Sequence, residues 1–355
     1  MVLESLRTLE SVKEATVEAS KPNKYERLKS TVQHWVSAWP NQSSQTDILR
    51  ASGIYHVCPR EFVLNYWSPQ PNRSFDFKAQ FMMSVGTHLH SYLQDRVLGP
   101  MGILFGKWKH TGTSGIVKDG FHPDMMGDMN RAASGYPCEW TYVEPTVWSD
   151  KYRISGHVDG IVCTNRLNFV QKNAKLFKTD PEQACKRLHD LEVGELALLE
   201  IKTTGSYVLK NTKSADDIAD YYKTQASVYQ KLTDIPRTLF WFIERDTVQS
   251  KTFLYKYEPA RWKDATMKAQ IIWEAIRDRT LPESRMSCRM PNDPRAKKCV
   301  HAEQCWTRIS GAKTFSEVEP FDEYVERCIL EQPDREFLDL RDVTFDDSSR
   351  HSTST

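Results

Sequence analysis

The sequence predicts an α/β protein in which a central mixed β-sheet is flanked by helices. Stretches with alternating apolar and polar residues, which is the pattern of half-buried strands, concentrate between residues 140 and 257. Segments with helical periodicity lie at 77–98, 216–232 and 259–279. Of the 355 residues, 39% are hydrophobic and 11% aromatic, which is enough to bury a sizeable core.

Three regions are predicted along the chain. Residues 1–50 are polar with helical patterning and predict a helical N-terminal extension. Residues 51–310 hold the strand signals and most of the cysteines, and predict the main domain. Residues 311–355 predict a C-terminal extension whose tail, from Asp342 onward, is rich in Asp, Ser and Thr and is expected to be disordered.

Five strands are predicted in the main domain. They are Trp140–Trp148, Tyr152–Cys163, Glu195–Thr203, Thr238–Glu244 and Ser250–Tyr257. The first two favour an antiparallel pair with its turn at Ser149–Lys151. A basic, helix-prone insertion over 164–190 separates the second strand from the third.

Composition excludes few classes of function. Charged residues make up 27% of the chain but nearly cancel, leaving a net charge of +1, so a nucleic-acid partner would need a local basic surface. No apolar run is long enough to span a membrane, and the N-terminus lacks the apolar core of a signal peptide. We therefore expect a cytoplasmic protein with no membrane partner, whose eight cysteines are thiols or metal ligands.

The most informative feature is Glu200-Ile201-Lys202, at the predicted end of an apolar strand. Alternation along a strand puts Glu200 and Lys202 on one face and Ile201 in the core. A second carboxylate, Asp159, ends an earlier apolar strand within Gly156-His157-Val158-Asp159-Gly160. An aspartate before glycine is also a common turn residue, and a Glu-x-Lys pair is also a common solvated face.

Two carboxylates beside a lysine predict a site for phosphodiester hydrolysis. Asp159 and Glu200 would hold Mg²⁺ or Mn²⁺, and the Ile201 carbonyl, freed at the strand end, would add a backbone ligand. Lys202 would orient or deprotonate the attacking water, or stabilise the developing charge.

Two further motifs accompany this pair. Gly86-Thr87-His88-Leu89-His90 is predicted to open a helix upstream, and Gln225 and Tyr229 lie four apart on one helical face downstream. In this order the four motifs resemble the RecB-family exonucleases of the PD-(D/E)xK superfamily. The resemblance covers about residues 50–305.

The resemblance implies a restriction-endonuclease-like core and a metal-dependent DNA exonuclease of recombination, repair or viral DNA processing. It makes His90 a metal ligand beside Asp159 and Glu200, and gives Gln225 and Tyr229 contacts with DNA. Glu144 matches an acidic position on the preceding strand, either near the metal ligands or as an ordinary exposed glutamate.

Four cysteines extend the resemblance to the iron–sulfur members of this superfamily, which include CRISPR-adaptation exonucleases and the AddB nuclease domain. Their pattern selects Cys58, Cys288, Cys299 and Cys305 for a [4Fe–4S] cluster. The gap between Cys288 and Cys299 is longer than that pattern has. A zinc site that uses Cys288, Cys299, Cys305 and either Cys58 or His301 stays open, as do ordinary buried thiols.

Two alternatives to an enzyme remain at this point. The chain could be an inactive nuclease-fold subunit that binds DNA or assembles with other proteins, or a structural metalloprotein. The sequence contains no glycine-rich phosphate-binding loop, so we do not expect an ATP-driven motor in this chain. The expected partners are therefore DNA and a separate helicase or recombination protein.

Overall fold

The computed structural model describes most of the main domain. The described residues are 47–69, 77–112, 115–123, 139–282, 294–302, 305 and 321–332. The chain divides into two compact units, one comprising Met1–Ser44 with Pro71–Thr87 and the other Gln45–Gln70 with His88–Thr355. Most of the predicted N-terminal extension, Cys288 and the tail from Asp342 lie outside the described residues.

Helices and strands alternate along the described chain. The helices are α1 Pro59–Trp67, α2 Phe77–Tyr92, α3 Thr164–Lys172, α4 Ala174–Thr179, α5 Pro181–His189, α6 Ser206–Asn211, α7 Asp220–Thr233, α8 Pro259–Arg277 and α9 Phe321–Leu330. A π-helical turn, Leu93–Leu98, continues α2, and 3₁₀ turns lie at Ala215–Asp217 and Ala296–Lys298. The strands are β1 Leu49–Arg50, β2 Gly106–His110, β3 Val117–Gly120, β4 Trp140–Val143, β5 Thr146–Ser149, β6 Ile154–His157, β7 Gly160–Cys163, β8 Leu196–Thr204, β9 Arg237–Glu244 and β10 Ser250–Lys256.

A four-stranded mixed sheet contains the Glu200-Ile201-Lys202 motif, and with its flanking helices it confirms the predicted α/β class. Its strand order is β10-β9-β8-β7. The β8–β9 pair is parallel, and the two outer pairs are antiparallel. Leu198 and Leu199, neighbours on β8, pack into two different hydrophobic cores, so the alternation expected along this strand is present. Ile201 points into the same core as Leu199, as predicted.

Two three-stranded sheets complete the strand layer, with the orders β1-β6-β5 and β3-β2-β4. The predicted antiparallel pair is present as β5–β6, closed by the turn between Ser149 and Ile154. Each strand predicted at this hairpin is broken once, between β4 and β5 at Glu144 and between β6 and β7 at Val158–Asp159. Both breaks place a carboxylate at a strand end.

Helices cover the strands on both sides. Buried residues of α1, α7, α8 and α9 form one core with β1, β5 and β6. The π-helical turn, β2 and β4 form another core with β7, β8 and β9. The predicted insertion folds into α3, α4 and α5, as its composition indicated.

Two local expectations are wrong. The helical pattern assigned up to residue 50 ends in a strand, because Leu49–Arg50 pairs in parallel with β6. The strand predicted over Glu195–Thr203 is present as β8, but its end does not free the Ile201 carbonyl as expected, because the parallel pairing with β9 continues to Thr204. Among the helices in the described residues, none combines the length and apolar character that a membrane crossing requires.

Candidate active site

Three side chains from separate elements converge beside the end of β7. Ligand atoms of His90, Glu144 and Asp159 all lie within 4.8 Å of one another. His90 Nδ1 is 3.5 Å from Asp159 Oδ1, and these two side chains keep 22% and 14% of their surface exposed. Two carboxylates and an imidazole that solvent can reach form a donor set suited to a divalent cation such as Mn²⁺ or Mg²⁺.

The strand breaks position the two carboxylates. The backbone N–H of Val158 donates to the Pro145 carbonyl at 2.9 Å, which joins the two breaks. Glu144 and Asp159 flank this hydrogen bond in sequence, so their side chains leave the sheet at the same place. Glu144 and Asp159, which are far apart in the sequence, are therefore close together in the structure.

Asp159 also closes the edge of β8. The β7–β8 pairing stops at Gly160–Leu199, so beyond Leu199 no strand among the described residues pairs with β8 on that side. There the Ile201 N–H donates to Asp159 Oδ2 at 2.6 Å. Since the N–H and C=O of one strand residue point to the same edge, the Ile201 carbonyl also faces this edge. The carbonyl is thus freed by the end of β7, not by the end of β8 as the sequence had suggested.

His90 lies in the last turns of α2, which begins at Phe77, so the prediction that its motif opens a helix is wrong. Burial lowers the pKa of His90, but the hydrogen bond and the negative charge of Asp159 outweigh this effect and raise it. The imidazole is therefore held by a carboxylate in a fixed orientation.

Gln94 is a site residue that the sequence analysis missed. Its Nε2 donates to Glu144 Oε1 at 2.9 Å and to the Asp159 carbonyl at 2.6 Å. It is only 4% exposed. The spacing of four between His90 and Gln94 on one continuous helical segment is the signal that would have found it.

Glu200 and Lys202 form a buried ion pair next to this group. Lys202 Nζ lies 2.5 Å from Glu200 Oε2, and the two side chains are 14% and 1% exposed. Within the described part of the chain neither Glu200 oxygen has a hydrogen bond of good geometry. The Glu200 carboxylate lies outside the His90, Glu144 and Asp159 group and faces the ammonium instead.

Burial and neighbouring charge both shift the pKa values of the acidic groups here. Burial, with a smaller contribution from the negative charge of Asp159, raises the pKa of Glu200 to about 7 against the opposing charge of Lys202. Burial lowers the pKa of Lys202, but Glu200 and Asp159 raise it by more, so the ammonium is retained. Burial raises the pKa of the neighbouring Asp95 to about 6, and Glu144 adds to the rise. A bound cation would relieve this crowding.

Gln225 and Tyr229 share one face of α7, as predicted, and are buried. Lys202 Nζ donates to Gln225 Oε1 at 3.4 Å, and Gln225 Nε2 donates to the Tyr229 hydroxyl at 3.1 Å. The Tyr229 ring packs on Gly156, where an added Cβ would lie 2.5 Å from a ring carbon. This helix therefore positions the Lys202 ammonium through Gln225, which Tyr229 holds in turn. The contact of this helix with DNA stays a prediction.

Three of the four selected cysteines come together in the structure. The Cys58 and Cys305 side chains are buried, and both are close enough to Cys299 to raise its pKa, although burial is the main cause. Burial raises the pKa of both Cys299 and Cys305, while the backbone N–H of His301 opposes the rise at Cys299 and the Arg60 guanidinium opposes it at Cys305. N–H groups and a guanidinium near these sulfurs favour the thiolate form, which is the form that a metal centre binds.

The spacing of these thiols bears on which metal they fit. Cys58, Cys299 and Cys305 do not all lie within 4.8 Å of one another in the described chain. Two sulfurs on one tetrahedral zinc would be about 3.8 Å apart, so the three thiols do not stand in the arrangement of ligands to one zinc ion, and the choice between an iron–sulfur cluster and zinc stays a prediction. His301 is fully buried, and its Nδ1 has no hydrogen-bond partner among the described residues, which is the observation that favours the zinc alternative.

Comparisons with known proteins add little to this geometry. No protein-family model matches the chain, and no curated protein matches it. One similar solved structure, titled "Crystal structure of SSO0001", shares 12% sequence identity at a TM-score of 0.36. The match covers 78% of this chain and 96% of that one.

Proposed function

We propose that this chain is a metal-dependent deoxyribonuclease of the cytoplasm, an exonuclease of the RecB-like PD-(D/E)xK class with a restriction-endonuclease-like core. One observation carries the proposal: the four motifs between His90 and Tyr229 meet at one edge of the mixed sheet.

His90, Glu144 and Asp159 would hold the divalent ion, with the Ile201 carbonyl at the same edge. Glu200 fits as a further ligand because both its oxygens are buried without a well-formed hydrogen bond. A bound ion of this kind supplies a Lewis acid for the phosphate and lowers the pKa of a water molecule. Gln94 would fix the Glu144 carboxylate directly and the Asp159 residue through its backbone carbonyl.

Lys202 is assigned the role of stabilising the transition state of phosphodiester cleavage. Glu200 and Gln225 hold its ammonium from two sides, so the positive charge is oriented before substrate arrives. A preorganised charge in a largely buried site stabilises the negative charge that develops on a phosphoryl group during cleavage. Gln225 and Tyr229 are then positioning residues for this charge.

We assign the cysteine centre a structural role, as a [4Fe–4S] cluster held by Cys58, Cys288, Cys299 and Cys305. It would join the segment that precedes α1 to the segment that follows α8. Analysis of the purified protein for iron, acid-labile sulfide and zinc distinguishes the iron–sulfur cluster from a zinc site.

The nuclease proposal is tested with labelled single- and double-stranded DNA, linear and circular, in Mg²⁺, Mn²⁺ or chelator. Wild-type protein is expected to cleave linear DNA and to lose all cleavage in chelator. Lys202→Ala is expected to lose about 100-fold or more of the cleavage rate while still binding DNA, because it removes one preorganised charge. Lys210→Ala, at an exposed lysine on α6, is the matched control.

Two outcomes would reject this assignment. Full cleavage by Lys202→Ala would remove the ammonium from the mechanism. Tight DNA binding by wild-type protein without cleavage in either metal would favour the inactive DNA-binding or assembly subunit. Because Lys202→Ala leaves a buried carboxylate unpaired, Lys202→Gln, which keeps a donor for Glu200, is measured beside it with a thermal unfolding curve for each variant.

A further inference from the structure

A third group faces the Lys202 ammonium, in addition to Glu200 and Gln225. It is the aromatic ring of Tyr222, whose centre lies 4.9 Å from Lys202 Nζ. This distance is within the range of about 6 Å over which the negative face of an aromatic ring attracts a cation. Tyr222 belongs neither to the four motifs nor to the group of candidate metal ligands. It therefore adds a contact that the proposed site does not yet use.

Helix α7 brings this ring to Lys202. Tyr222, Gln225 and Tyr229 are spaced three and four apart on α7, which aligns side chains along one face of a helix. Gln225 Oε1 accepts from Lys202 Nζ at 3.4 Å, so the amide and the ring approach the ammonium from the same helix. One helical face thus carries every contact that α7 is proposed to make with the ammonium.

Two neighbouring rings fix the orientation of Tyr222. Phe242 on β9 pairs with Lys202 on β8, so both side chains project from the same face of the sheet. Phe242 is only 1% exposed, and its ring centre lies 6.1 Å from that of Tyr222 at an angle of 68°. The centre of the Tyr221 ring lies 4.1 Å from that of Tyr222. A rotation of Tyr222 away from Lys202 would disturb both ring contacts.

Tyr222 meets the ammonium as a neutral ring. Burial, together with the neighbouring Tyr221 hydroxyl, raises the pKa of Tyr222 to about 12, although the charge of Lys202 opposes the rise. The phenol therefore stays protonated at neutral pH. A neutral ring attracts a cation through its electron density and adds no further negative charge to the site.

The ring matters because Glu200 has two roles in the proposed site. Its Oε2 lies 2.5 Å from Lys202 Nζ, and the same carboxylate fits as a ligand of the divalent ion. A carboxylate that is shared with a metal ion attracts the ammonium less strongly. Gln225 then offers a neutral acceptor at 3.4 Å. The contact with Tyr222 does not involve Glu200, so it remains available when the carboxylate turns to the ion.

We propose that Tyr222 is a positioning residue, which holds the Lys202 ammonium beside the metal-binding group through the negative face of its ring. The proposal rests on the nuclease function proposed above and adds a residue that the motifs do not contain. Because Lys202 acts on the transition state, loss of the ring should lower kcat and leave the affinity for DNA unchanged.

Cleavage of labelled linear DNA in Mg²⁺ is compared for two variants of the full chain. Tyr222→Leu removes the ring and is expected to lower kcat about 30-fold, which corresponds to the ~2 kcal/mol of a cation–π contact in a desolvated site. Tyr222→Phe keeps the ring and should cleave as the wild type does. The affinity for DNA, measured in chelator, should be the same in both. Tyr207→Leu, at a tyrosine that is 81% exposed on α6, is the matched control.

A series of fluorinated phenylalanines in place of Tyr222 separates the charge of the ring from its shape. One, two or three fluorines change the size of the ring little, but each withdraws electron density from its face. The logarithm of kcat should therefore fall with each added fluorine. Equal kcat across the series would overturn the proposal, as would a Tyr222→Leu variant that cleaves like Tyr207→Leu. Thermal unfolding of each variant shows whether it is folded.

A spectroscopic measurement tests the contact without cleavage. In protein labelled with ¹³Cε-lysine, the ring current of Tyr222 should shift the Lys202 methylene signal upfield of the other lysine signals, with and without Mg²⁺. Lys202→Gln identifies this signal by its loss, and Tyr222→Leu should return it to the position of the other lysines. A Lys202 signal that Tyr222→Leu leaves in place, or that loses its upfield shift in Mg²⁺, would overturn the proposal.

These measurements separate failure of the two proposals. Wild-type protein that cleaves DNA while the fluorinated series gives equal kcat would reject the role of Tyr222 and keep the nuclease. Wild-type protein that never cleaves in Mg²⁺ or Mn²⁺ would reject the nuclease, and the role of Tyr222 in cleavage with it, even where the lysine signal shows the ring contact.

Discussion

At the scale of single residues, the glycine of the Gly156-His157-Val158-Asp159 motif has a steric role. Tyr229 lies across Gly156, and any Cβ there would come 2.7 Å from the hydroxyl of that ring. Two motifs separated by many residues are therefore complementary in shape. The sequence could show that each motif is present. It could not show that Gly156 leaves room for the Tyr229 ring, because this fit depends on how α7 packs on β6.

Gly156→Ala is expected to lower the free energy of unfolding by about 1–3 kcal/mol, the usual range for an overfilled core. The methyl group must displace the buried Tyr229 ring, which also breaks the hydrogen bond from Gln225. Urea denaturation measures the stability, and the DNA cleavage assay measures the loss of the positioning contact.

The control for this substitution is Gly53→Ala, where an added Cβ meets only a carbonyl at 3.7 Å and should change stability little. Adding Tyr229→Leu to Gly156→Ala should restore part of the lost stability, because the smaller side chain vacates the space. Equal stability of Gly156→Ala and Gly53→Ala would contradict the steric role.

At the scale of elements, the sequence predicted the strands of the main domain better than their interruptions. Apolar alternation placed β8, β9 and β10 nearly at their observed bounds. It could not show that the strand before Trp148 stops at Glu144, since a single break leaves the alternation on both sides intact. That break gives Glu144 its place beside His90 and Asp159.

The helix that carries His90 supplies a second such example. A π-helical turn from Leu93 to Leu98 continues α2 and holds Gln94 against both carboxylate-bearing breaks. π-helical turns inside helices are frequent at functional sites. Periodicity predicted this helix over Phe77–Leu98 but could not distinguish the π-helical turn, because apolar spacing is nearly the same in both forms.

Gln94→Ala is expected to weaken Mn²⁺ binding about 10- to 100-fold, as for other residues that orient metal ligands. The reason is that Glu144 loses the donor that fixes its orientation. Titration calorimetry with Mn²⁺ measures the affinity, and circular dichroism checks that the helix remains. Gln249→Ala, at an exposed glutamine before β10, is the control, and the same Mn²⁺ affinity in both variants would contradict the assignment.

At the scale of the whole molecule, the sequence could place cysteines near the two ends of the main domain but not show that they meet. The structure brings Cys58 close to Cys299 and Cys305, because α1 packs with α8 and α9 in one core. The spacing of residues along the chain carries no information about such long-range packing. The identity of the metal likewise depends on distances between sulfurs, which the sequence does not contain.

The last prediction concerns this cysteine centre. Cys58→Ser is expected to lose the bound metal and, with it, up to about 5 kcal/mol of stability, the loop-closure entropy of a link that spans most of the domain. Elemental analysis measures iron or zinc, and thermal unfolding measures stability. Cys185→Ser is the control, because Cys185 is an equally buried thiol that packs with Leu188 away from the centre. If both variants keep the metal content and melting temperature of the wild type, Cys58 is an ordinary core thiol and the two ends of the domain are joined by packing alone.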